Sequence, residues 1–421
     1  MIREFSLPYG KRQLPVKLPL AGFAGEFLPI RHVSGKTDEE IIEHALDNPV
    51  ASKRVEELVK PGQKVVIVTS DMTRPCPSDV MLPPLLTRLN KAGVPDDHIT
   101  IVIALGLHRK MTDEELRRIV GESVFNRVKV INHDADDVVQ VGVTSRGTPV
   151  EIFRPVVEAD FLICLGNVEF HYFAGFSGGA KAIIPGVASA RTIRQNHSHM
   201  IEDGAVTANI KNNPVRLDIE EGVKFIGIDF ILNVIVDENH KIVAAASGDW
   251  IQAHRFLSRR LEETGAIYID KKVDIAVVSA GGFPKDINLY QAQKAIDNCA
   301  GILKKDGIMI LLAECPEGYG SETFRQWITS GKKPEELIQD IKNKFVLGGH
   351  KAAAIAKVAM KSRIFLVTSE KLANEKLTGI EIFTDADKAI SKAFEMKGEK
   401  AEYAVFPLGA STLPRVKRGE N

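Results

Sequence analysis

The chain has 421 residues, of which 44% are apolar and 26% charged, and its formal net charge is zero. This length exceeds what one hydrophobic core ordinarily serves, so we expect two domains, and the composition is typical of a globular protein in aqueous solution. The balanced charge argues against a general nucleic-acid binder, and no apolar run approaches the roughly 20 residues of a bilayer span.

Short β-branched and apolar runs recur along the chain, and segments with helical periodicity separate them. The predicted strands are 65–69, 99–104, 128–131, 161–165, 230–236, 274–279, 308–312, 364–368 and 403–406. The predicted helices are 78–90, one that opens with a capping box at 112–115, 250–263, 290–303, 321–330, 334–343 and 352–360. Near-continuous apolar strands alternating with helices predict α/β architecture with mostly parallel sheets.

The best candidate domain boundary lies at 264–272, where a long helix ends and a new series of strands and helices begins. We therefore predict an N-terminal α/β domain at 1–267 and a C-terminal α/β domain at 268–421. Two such domains imply a cleft, where ligand sites commonly lie. The tail at 415–421 is expected either to stay in solvent or to pack back on the first domain.

Polar residues follow two of the predicted strands directly. Asp71 and Arg74 lie in the segment TSDMTRP after the strand at 65–69, and His108 lies in GLHR after the strand at 99–104. The carboxyl ends of parallel strands are where α/β folds place ligand loops, and a guanidinium suits a phosphate or carboxylate. The alternatives are an ordinary strand-to-helix turn at Asp71 and a structural hydrogen bond at His108.

A glycine-rich bend is the most informative segment of the chain. The run HYFAGFSGGAKAIIPG begins at His171 and contains a single lysine, Lys181, and NHSH follows with His197 and His199. Glycine lets the backbone approach a ligand closely, lysine can pair with phosphate or act as a nucleophile, and histidine can transfer protons or bind metal. The run departs from the P-loop GxxxxGK[ST], because Ala180 precedes the lysine and Ala182 follows it. The structural alternative is a plain turn with surface histidines.

In the second half, a polar loop, GGFPKD at 281–286, precedes a predicted helix. Tyr290, Gln291 and Lys294 lie near its start, with Gln291 and Lys294 three residues apart and therefore on one face. An amide, an ammonium and a helix N-terminus together favour an anion. His350 and Lys351 lie in a second polar loop before a helix, which by itself is only a cap signal.

The motifs DMTRP, GLHR, HYFAGFSGGAKAIIPG, NHSH and YQAQK, in this order, resemble those of the nickel-dependent lactate racemase family, and the resemblance covers nearly the whole chain. It implies two α/β domains enclosing a nickel-pincer nucleotide, a pyridinium mononucleotide bearing a thioamide, which is tethered to a lysine matched by Lys181. It also implies that His197 completes the nickel coordination and that His108 and His171 transfer protons.

Further positions follow from the same resemblance. The expected cofactor contacts are Asp71, Arg74, Ser177, Gly178, Gly179 and Lys294, besides Lys181. The expected substrate contacts are Arg74, Tyr290, Gln291 and Lys294, to which His350 is added as a polar wall of the pocket. The implied reaction is racemisation or epimerisation of a 2-hydroxy acid by reversible proton-coupled hydride transfer. A histidine takes the hydroxyl proton while hydride leaves Cα, and two histidines serve the two enantiomers.

The identity of the hydroxy acid is open at this point. Some lactate-racemising members of that family place a Trp in the pocket wall of the second domain, and neither Trp250 nor Trp327 is clearly at that position. A polar wall at His350 and Lys351 would suit a larger or more polar acid, such as malate, 2-hydroxyglutarate or a sugar acid.

Two other functions compete with racemisation. Lys181 could form a Schiff base with pyridoxal phosphate or a keto substrate, which gives His108 and His197 no necessary role. The chain could also be a non-catalytic carrier of the pincer cofactor, which needs Lys181 and His197 but not His108 or His171.

Four scattered cysteines without a CxxC pair, and no signal-peptide core at the N-terminus, favour the cytoplasm. The expected partners are a small 2-hydroxy acid and the proteins that synthesise the cofactor, with no nucleic acid and no membrane. The oligomeric state is left open.

Overall fold

The computed structural model describes residues 2–29, 35–237 and 239–417. Its contacts divide the chain into two compact units, the central unit (His32–Glu263) and the terminal unit (Met1–Arg31 with Thr264–Asn421). The division after Glu263 falls beside the predicted boundary at 264–272. The first 31 residues differ from the prediction: sequence order assigns them to the first domain, whereas they group with the C-terminal half.

Packing explains the placement of the N-terminal segment. It forms β1 (Ile2–Tyr9), β2 (Arg12–Pro19) and β3 (Phe23–Glu26). β1 and β2 pair antiparallel. Their apolar side chains Phe5, Leu7, Val16 and Leu18 lie in one buried cluster with Ile275 and Val277 of the C-terminal half. Removing this apolar face from water stabilises the hairpin on the terminal unit.

The central unit is an α/β unit built on one six-stranded sheet. Its elements are α1 (Asp38–Asp47), α2 (Val55–Leu58), β4 (Val65–Ser70), α3 (Ser78–Lys91), β5 (Ile99–Ala104), α4 (Asp113–Val120), α5 (Glu122–Phe125), β6 (Lys129–Asn132), β7 (Val138–Val143), β8 (Pro149–Phe153), α6 (Arg154–Val157), β9 (Phe161–Asn167), β10 (Phe170–His171), β11 (Gly175–Phe176), α7 (Ala190–Ser198), α8 (Pro214–Val223), β12 (Phe230–Val236), β13 (Ile242–Gly248) and α9 (Gln252–Gly265), which runs to the boundary. The sheet order is β13-β12-β9-β4-β5-β6, and every pair is parallel except β12 with β13.

The terminal unit continues with a second parallel sheet. Its remaining elements are β14 (Ala266–Ile269), β15 (Val273–Ser279), α10 (Leu289–Cys299), β16 (Leu303–Leu312), α11 (Glu322–Ile328), α12 (Pro334–Asn343), α13 (Gly349–Ala359), β17 (Arg363–Val367), β18 (Ile380–Phe383), α14 (Ala386–Lys397), β19 (Tyr403–Phe406) and β20 (Leu413–Val416). The order β18-β17-β16-β15-β19-β3 is parallel throughout. β20 pairs with β14 inside this unit, so strand pairing holds the tail through residue 416 there; residues 418–421 lie outside the described ranges.

The predicted α/β class with mostly parallel sheets is confirmed. In the central unit, β4, β5 and β9 are neighbours in one parallel sheet, so their carboxyl ends share one edge. The segments that carry Asp71, His108 and His171 follow β4, β5 and β9 at that edge. Across the described ranges, no helix is long and apolar enough to cross a membrane.

Candidate active site

Asp71 and His108 form a hydrogen-bonded pair at the carboxyl ends of β4 and β5. The Nδ1 atom of His108 lies 2.5 Å from Oδ2 of Asp71, whose side chain is 2% exposed, whereas the imidazole is 39% exposed. Thr73 donates its backbone N–H and its hydroxyl to the other carboxylate oxygen of Asp71. The buried carboxylate therefore fixes the ring of a histidine that solvent or a substrate can reach.

The protonation of Asp71 settles which atom of this pair donates. Burial alone would raise the pKa of Asp71, but hydrogen bonds from His108 and Thr73 outweigh it and lower that pKa below its ordinary value. Asp71 is then an ionised acceptor, so His108 must donate from Nδ1. In neutral His108 the Nε2 atom consequently carries the lone pair, as a general base requires.

Backbone geometry at the glycine bend holds Lys181 in place. Gly178 and Gly179 have φ of +72° and +58°, and Lys181 follows in a short 3₁₀ turn, Gly179–Ala182. The N–H of Gly179 donates to Oδ1 of Asn233 at 2.7 Å. A Cβ on Gly179 would lie 2.9 Å from two ring atoms of His254, so both the space and the backbone conformation require glycine.

Arg216, on α8, binds the backbone of the same bend. This side chain is fully buried; it donates to the carbonyls of Ala174 and Gly178 at 3.4 Å and to that of Phe176 at shorter range. Burial lowers the pKa of Arg216 to about 10, which leaves it cationic at neutral pH. A positive charge is thus fixed under the bend that carries Lys181.

A network that we call the Glu220 network (Arg216, Glu220, His254 and Arg255) supports the bend from α8 and α9. Arg255 donates to both carboxylate oxygens of Glu220 at 2.7 and 2.8 Å, and Glu220 lies 4.0 Å from Nε of Arg216. Arg255 also approaches Nδ1 of His254 at 3.1 Å, and Nε2 of His254 lies 2.8 Å from the carbonyl oxygen of Ser177. The network ties two helices to the backbone just before Lys181.

The hydroxyl of Ser177 is also committed to the backbone. It donates to the carbonyl of Asn167 and accepts from the N–H of Glu169, both at 2.8 Å. These bonds hold the entry of the bend against the end of β9. The cofactor contact expected of Ser177 stays a prediction.

The ring of Phe173 gathers three of the predicted site residues. Its centroid lies 4.5 Å from the ring of His171, 5.0 Å from that of His197 and 5.6 Å from Nζ of Lys181. Phe173 itself is 4% exposed. The sequence motifs at 171, 181 and 197 therefore converge on one buried aromatic side chain.

The charge around this cluster is unbalanced. Burial, followed by the positive charges of Arg216 and Arg74, lowers the pKa of Lys181 well below its ordinary value. Burial, followed by Lys181 and Arg74, likewise lowers the pKa of His171. Among the described residues neither Lys181 nor Arg74 has an ion-pair partner. The positive potential of the site therefore favours the neutral forms of the Lys181 amine and the His171 imidazole.

His171 adopts the ring state opposite to that of His108. Its Nδ1 accepts the N–H of Ala174 at 3.3 Å, so the neutral ring carries its proton on Nε2. One histidine thus presents a lone pair at Nε2, and the other presents an N–H.

His197 and His199 are held differently. Nδ1 of His197 lies 3.2 Å from the amide oxygen of Asn196, whose amide nitrogen is anchored on Asp218 at 2.8 Å. Nδ1 of His199 lies 2.6 Å from Glu202. His199 is thus bound within its own turn by Glu202, whereas His197 is held by Asn196.

No group of three or more His, Cys, Asp or Glu side chains converges as a metal site within the described ranges. A metal bound by protein atoms alone would need such a group, because sites of three or four protein ligands are the usual arrangement. The predicted arrangement uses one protein ligand, His197, and its other donors belong to the nucleotide. The unbalanced positive charge fits the phosphate of a nucleotide, and the lowered pKa of Lys181, which favours a nucleophilic amine, fits a covalent tether.

The candidate residues of the terminal unit lie on α10 and α13. Asn288 caps α10 by accepting the N–H of Gln291, and Lys294 is exposed one turn later. Lys351 donates to the carbonyl of Tyr290 at 2.7 Å and lies 4.2 Å from its ring centroid. The first turn of α10 is thereby held by α13.

His350 is a buried member of the same contact. It is 6% exposed, its Nδ1 accepts the N–H of Gly348 at 2.9 Å, and burial lowers its pKa to about 3. Trp327 packs directly against Gly349, the first residue of α13. His350 and Lys351 therefore make internal contacts, and the substrate roles predicted for Tyr290, Gln291, Lys294 and His350 stay predictions.

Four residues of the site lie outside the sequence motifs: Arg216, Glu220, Asn233 and His254. Phe173 lies within the bend motif but was not singled out, because it carries no chemistry of its own. Apart from the Arg216–Glu220 contact four positions apart, these four residues act across 35 to 77 positions of sequence, as in the pairs Arg255–Glu220 and His254–Ser177. No local spacing in the sequence predicts such contacts, since each of these residues lies on an otherwise ordinary helix or strand.

Beside one edge of a parallel sheet lie an aspartate–histidine pair, a second histidine and a buried amine. Together these groups define an α/β enzyme equipped for acid–base chemistry. Comparison with known proteins makes this class specific. Residues 9–208 match the lactate racemase N-terminal domain, and residues 269–413 match the lactate racemase C-terminal domain.

Two curated relatives are similar over nearly their full length. The lactate racemase of Thermoanaerobacterium thermosaccharolyticum is 33% identical over 98% of this chain and 100% of its own. That of Lactiplantibacillus plantarum is 32% identical over 97% of this chain and 98% of its own. The chain belongs to the lactate racemase family, so it is an isomerase, and the expected family and enzyme class are confirmed.

Solved structures agree with this assignment. The structure of the lactate racemase apoprotein from T. thermosaccharolyticum matches with a TM-score of 0.88 and 32% identity, covering 98% of this chain and 100% of that one. A protein from Thermotoga maritima matches with a TM-score of 0.63 at 20% identity, covering 92% of this chain and 100% of that one. The second likeness shows the shared fold alone.

Proposed function

We propose that the chain racemises lactate by reversible proton-coupled hydride transfer to a nickel-pincer nucleotide tethered at Lys181. The observation that carries the proposal is the convergence of His171, Lys181 and His197 on Phe173. When bound, the nucleotide would supply the hydride acceptor and donor that the chain's own side chains lack. Lys181 would carry the tether, and His197 would bind the nickel.

The two histidines divide the proton transfers. Nε2 of His108 accepts the hydroxyl proton of one enantiomer as the substrate becomes a planar 2-keto acid, while the Asp71 carboxylate stabilises the imidazolium. In its protonated form His171 returns a proton from Nε2 to the oxygen when hydride comes back on the other face, and its ring becomes neutral; its lowered pKa makes this form a strong proton donor. After one turnover His108 is the protonated ring and His171 the neutral one, which is the starting state for the reverse reaction.

Positive charge serves the remaining steps. Arg74 would hold the substrate carboxylate, because a guanidinium bonds it at two points. Arg216 stays bound to backbone carbonyls, so it stabilises negative charge without moving. A fixed charge in a partly dry site stabilises the developing alkoxide more effectively than water does.

Lactate is the substrate to test first, since both curated relatives are named for it. The argument for a larger acid depends on a polar wall at His350 and Lys351. Both are buried and bonded within the terminal unit, so the structure adds no support to malate, 2-hydroxyglutarate or a sugar acid.

The decisive experiment co-produces the chain with cofactor-biosynthesis proteins and measures interconversion of D- and L-lactate, bound nickel and intact mass. His108→Ala and His171→Ala should abolish turnover while nickel stays bound, which also excludes a mere carrier. His197→Ala should lose nickel, and His199→Ala, the matched control, should keep it. An active sample with unmodified Lys181, or turnover that survives both catalytic substitutions, would refute the proposal. The cytoplasm stays a prediction for the compartment.

A further inference from the structure

A cleft lies in the central unit, and its lining does not include His171, Phe173, Lys181 or His197. Its volume is about 540 Å³, within the range of roughly 300–1,000 Å³ that small-molecule sites occupy. The lining comes from α9, α8, β11 and the segment 208–211, namely Phe176, Ala208, Asn209, Ile210, Lys211, Leu217, Gln252, Arg255, Ser258, Arg259 and Glu262. None of these residues is assigned a role in the proposed reaction.

The polar lining of this cleft favours an anion. It contains three cationic side chains, Lys211, Arg255 and Arg259, against one carboxylate, Glu262. Arg255 is engaged with Glu220, whereas Lys211 and Arg259 form no ion pair within the described ranges. The two exposed cations are thus available to an incoming oxyanion.

A buried hydroxyl adds an independent sign of a ligand. Ser258 is 1% exposed, and its Oγ has no hydrogen-bond partner among the described residues. Buried polar groups are nearly always paired, and leaving one unpaired costs stability. A ligand oxygen in the cleft would supply the missing partner of Ser258.

The apolar lining restricts the ligand further. Phe176, Ile210 and Leu217 line the cleft beside the cationic groups. A bare inorganic ion would leave these surfaces without a partner, whereas an organic anion would cover them. We propose that the cleft binds a small organic oxyanion, with its carboxylate or phosphate on Lys211, Arg259 and Ser258.

Isothermal titration of the full-length protein without cofactor, at low ionic strength, tests the proposal with L-lactate, phosphoglycolate and inorganic phosphate. At least one organic anion should bind saturably with one site per chain. Lys211→Ala with Arg259→Ala should weaken it by about tenfold or more, since charge-assisted bonds are the stronger class. The matched control, Lys91→Ala with Arg118→Ala, removes two exposed cations elsewhere in the same unit and should leave the affinity unchanged.

Ser258→Ala provides a second test that does not depend on surface charge. Removing an unpaired buried hydroxyl should leave thermal stability equal or higher, while the affinity for the organic anion falls. Binding of phosphate alone, equal weakening in the control, or binding that survives the cleft substitutions but is lost in Arg74→Ala would overturn the proposal. The last result would place the ligand in the proposed catalytic site, so failure here is distinct from failure of racemisation.

Discussion

Gly179→Ala tests whether the bend before Lys181 is held by its contact with His254. The residue has φ of +58°, a conformation that costs a non-glycine residue about 1–2 kcal/mol. The new Cβ would also lie 2.9 Å from Cδ2 and Cγ of the His254 ring. That ring is buried and bonded to the Ser177 carbonyl, so it cannot move aside freely.

The overpacking adds about 1–3 kcal/mol, which brings the expected loss of unfolding free energy to about 2–5 kcal/mol. Gly227→Ala is the matched control, because φ is +75° there and a Cβ would meet nothing within 4 Å. The control should lose only the backbone contribution. The difference between the two variants isolates the contact with His254.

The assay is urea unfolding followed by tryptophan fluorescence in a Trp327→Phe background. Trp250 then reports on the central unit alone, which keeps unfolding of the other unit out of the signal. Combining Gly179→Ala with His254→Ala should give a double-mutant cycle in which the second change costs less than it does alone. Equal losses at Gly179 and Gly227, or strict additivity in the cycle, would refute the packing argument.

Three further predictions concern charge. The lowered pKa of Asp71 means that its stabilising contribution is complete above its unfolded pKa of about 3.9 and is lost as pH falls through its lower folded pKa. Asp71→Asn should therefore destabilise the central unit at pH 7, and the difference in unfolding free energy from the parent protein, measured by urea unfolding, should narrow toward pH 2. A difference that widens as pH falls would contradict this. Burial and two arginines lower the pKa of Lys181, whereas a hydrogen bond to an aspartate raises that of Lys110. Lys181 should therefore react with acetic anhydride at pH 7 faster than Lys110, and peptide mapping of the protein without cofactor measures both rates. The reverse order of rates would exclude a neutral amine at Lys181. Glu220→Gln should lower the unfolding free energy by about 3–5 kcal/mol in urea unfolding, because it leaves two cationic side chains without their carboxylate. Glu158→Gln, which removes an exposed ion pair, should cost about 0–1 kcal/mol. Similar losses in the two variants would show that the buried network contributes no more than a surface ion pair.

The sheets were predictable because buried parallel strands are continuous apolar runs. The strands at 99–104, 230–236 and 403–406 and the helix at 334–343 have the predicted bounds, and the capping box at Thr112 begins α4 as expected. The hairpin of β1 and β2 was not predicted from the sequence, because Pro8, Pro15 and Pro19 interrupt its strand pattern and proline ordinarily argues against a strand. Its pairing depends on a distant sheet that no local pattern reveals.

The site was predictable to the extent that its chemistry is local. Asp71 and His108 follow adjacent parallel strands, so their meeting follows from topology. Arg216 and His254 could not be found in this way, because their partners are carbonyl oxygens of the bend about 40 and 77 positions away. Every residue offers a carbonyl, so such contacts leave no signature in residue type.

Arg216 performs two roles that substitution can separate. Its guanidinium holds the carbonyls of the bend, and its charge lowers the pKa of Lys181. A neutral side chain of similar size, as in Arg216→Met, would relieve the buried positive charge but leave those carbonyls without donors. Arg216→Lys would keep the charge yet could not span several carbonyls with one ammonium. The amine of Lys181 should therefore regain a higher pKa in the first variant and keep a low one in the second, while both lose order at the bend; only arginine supplies the charge and the fork together.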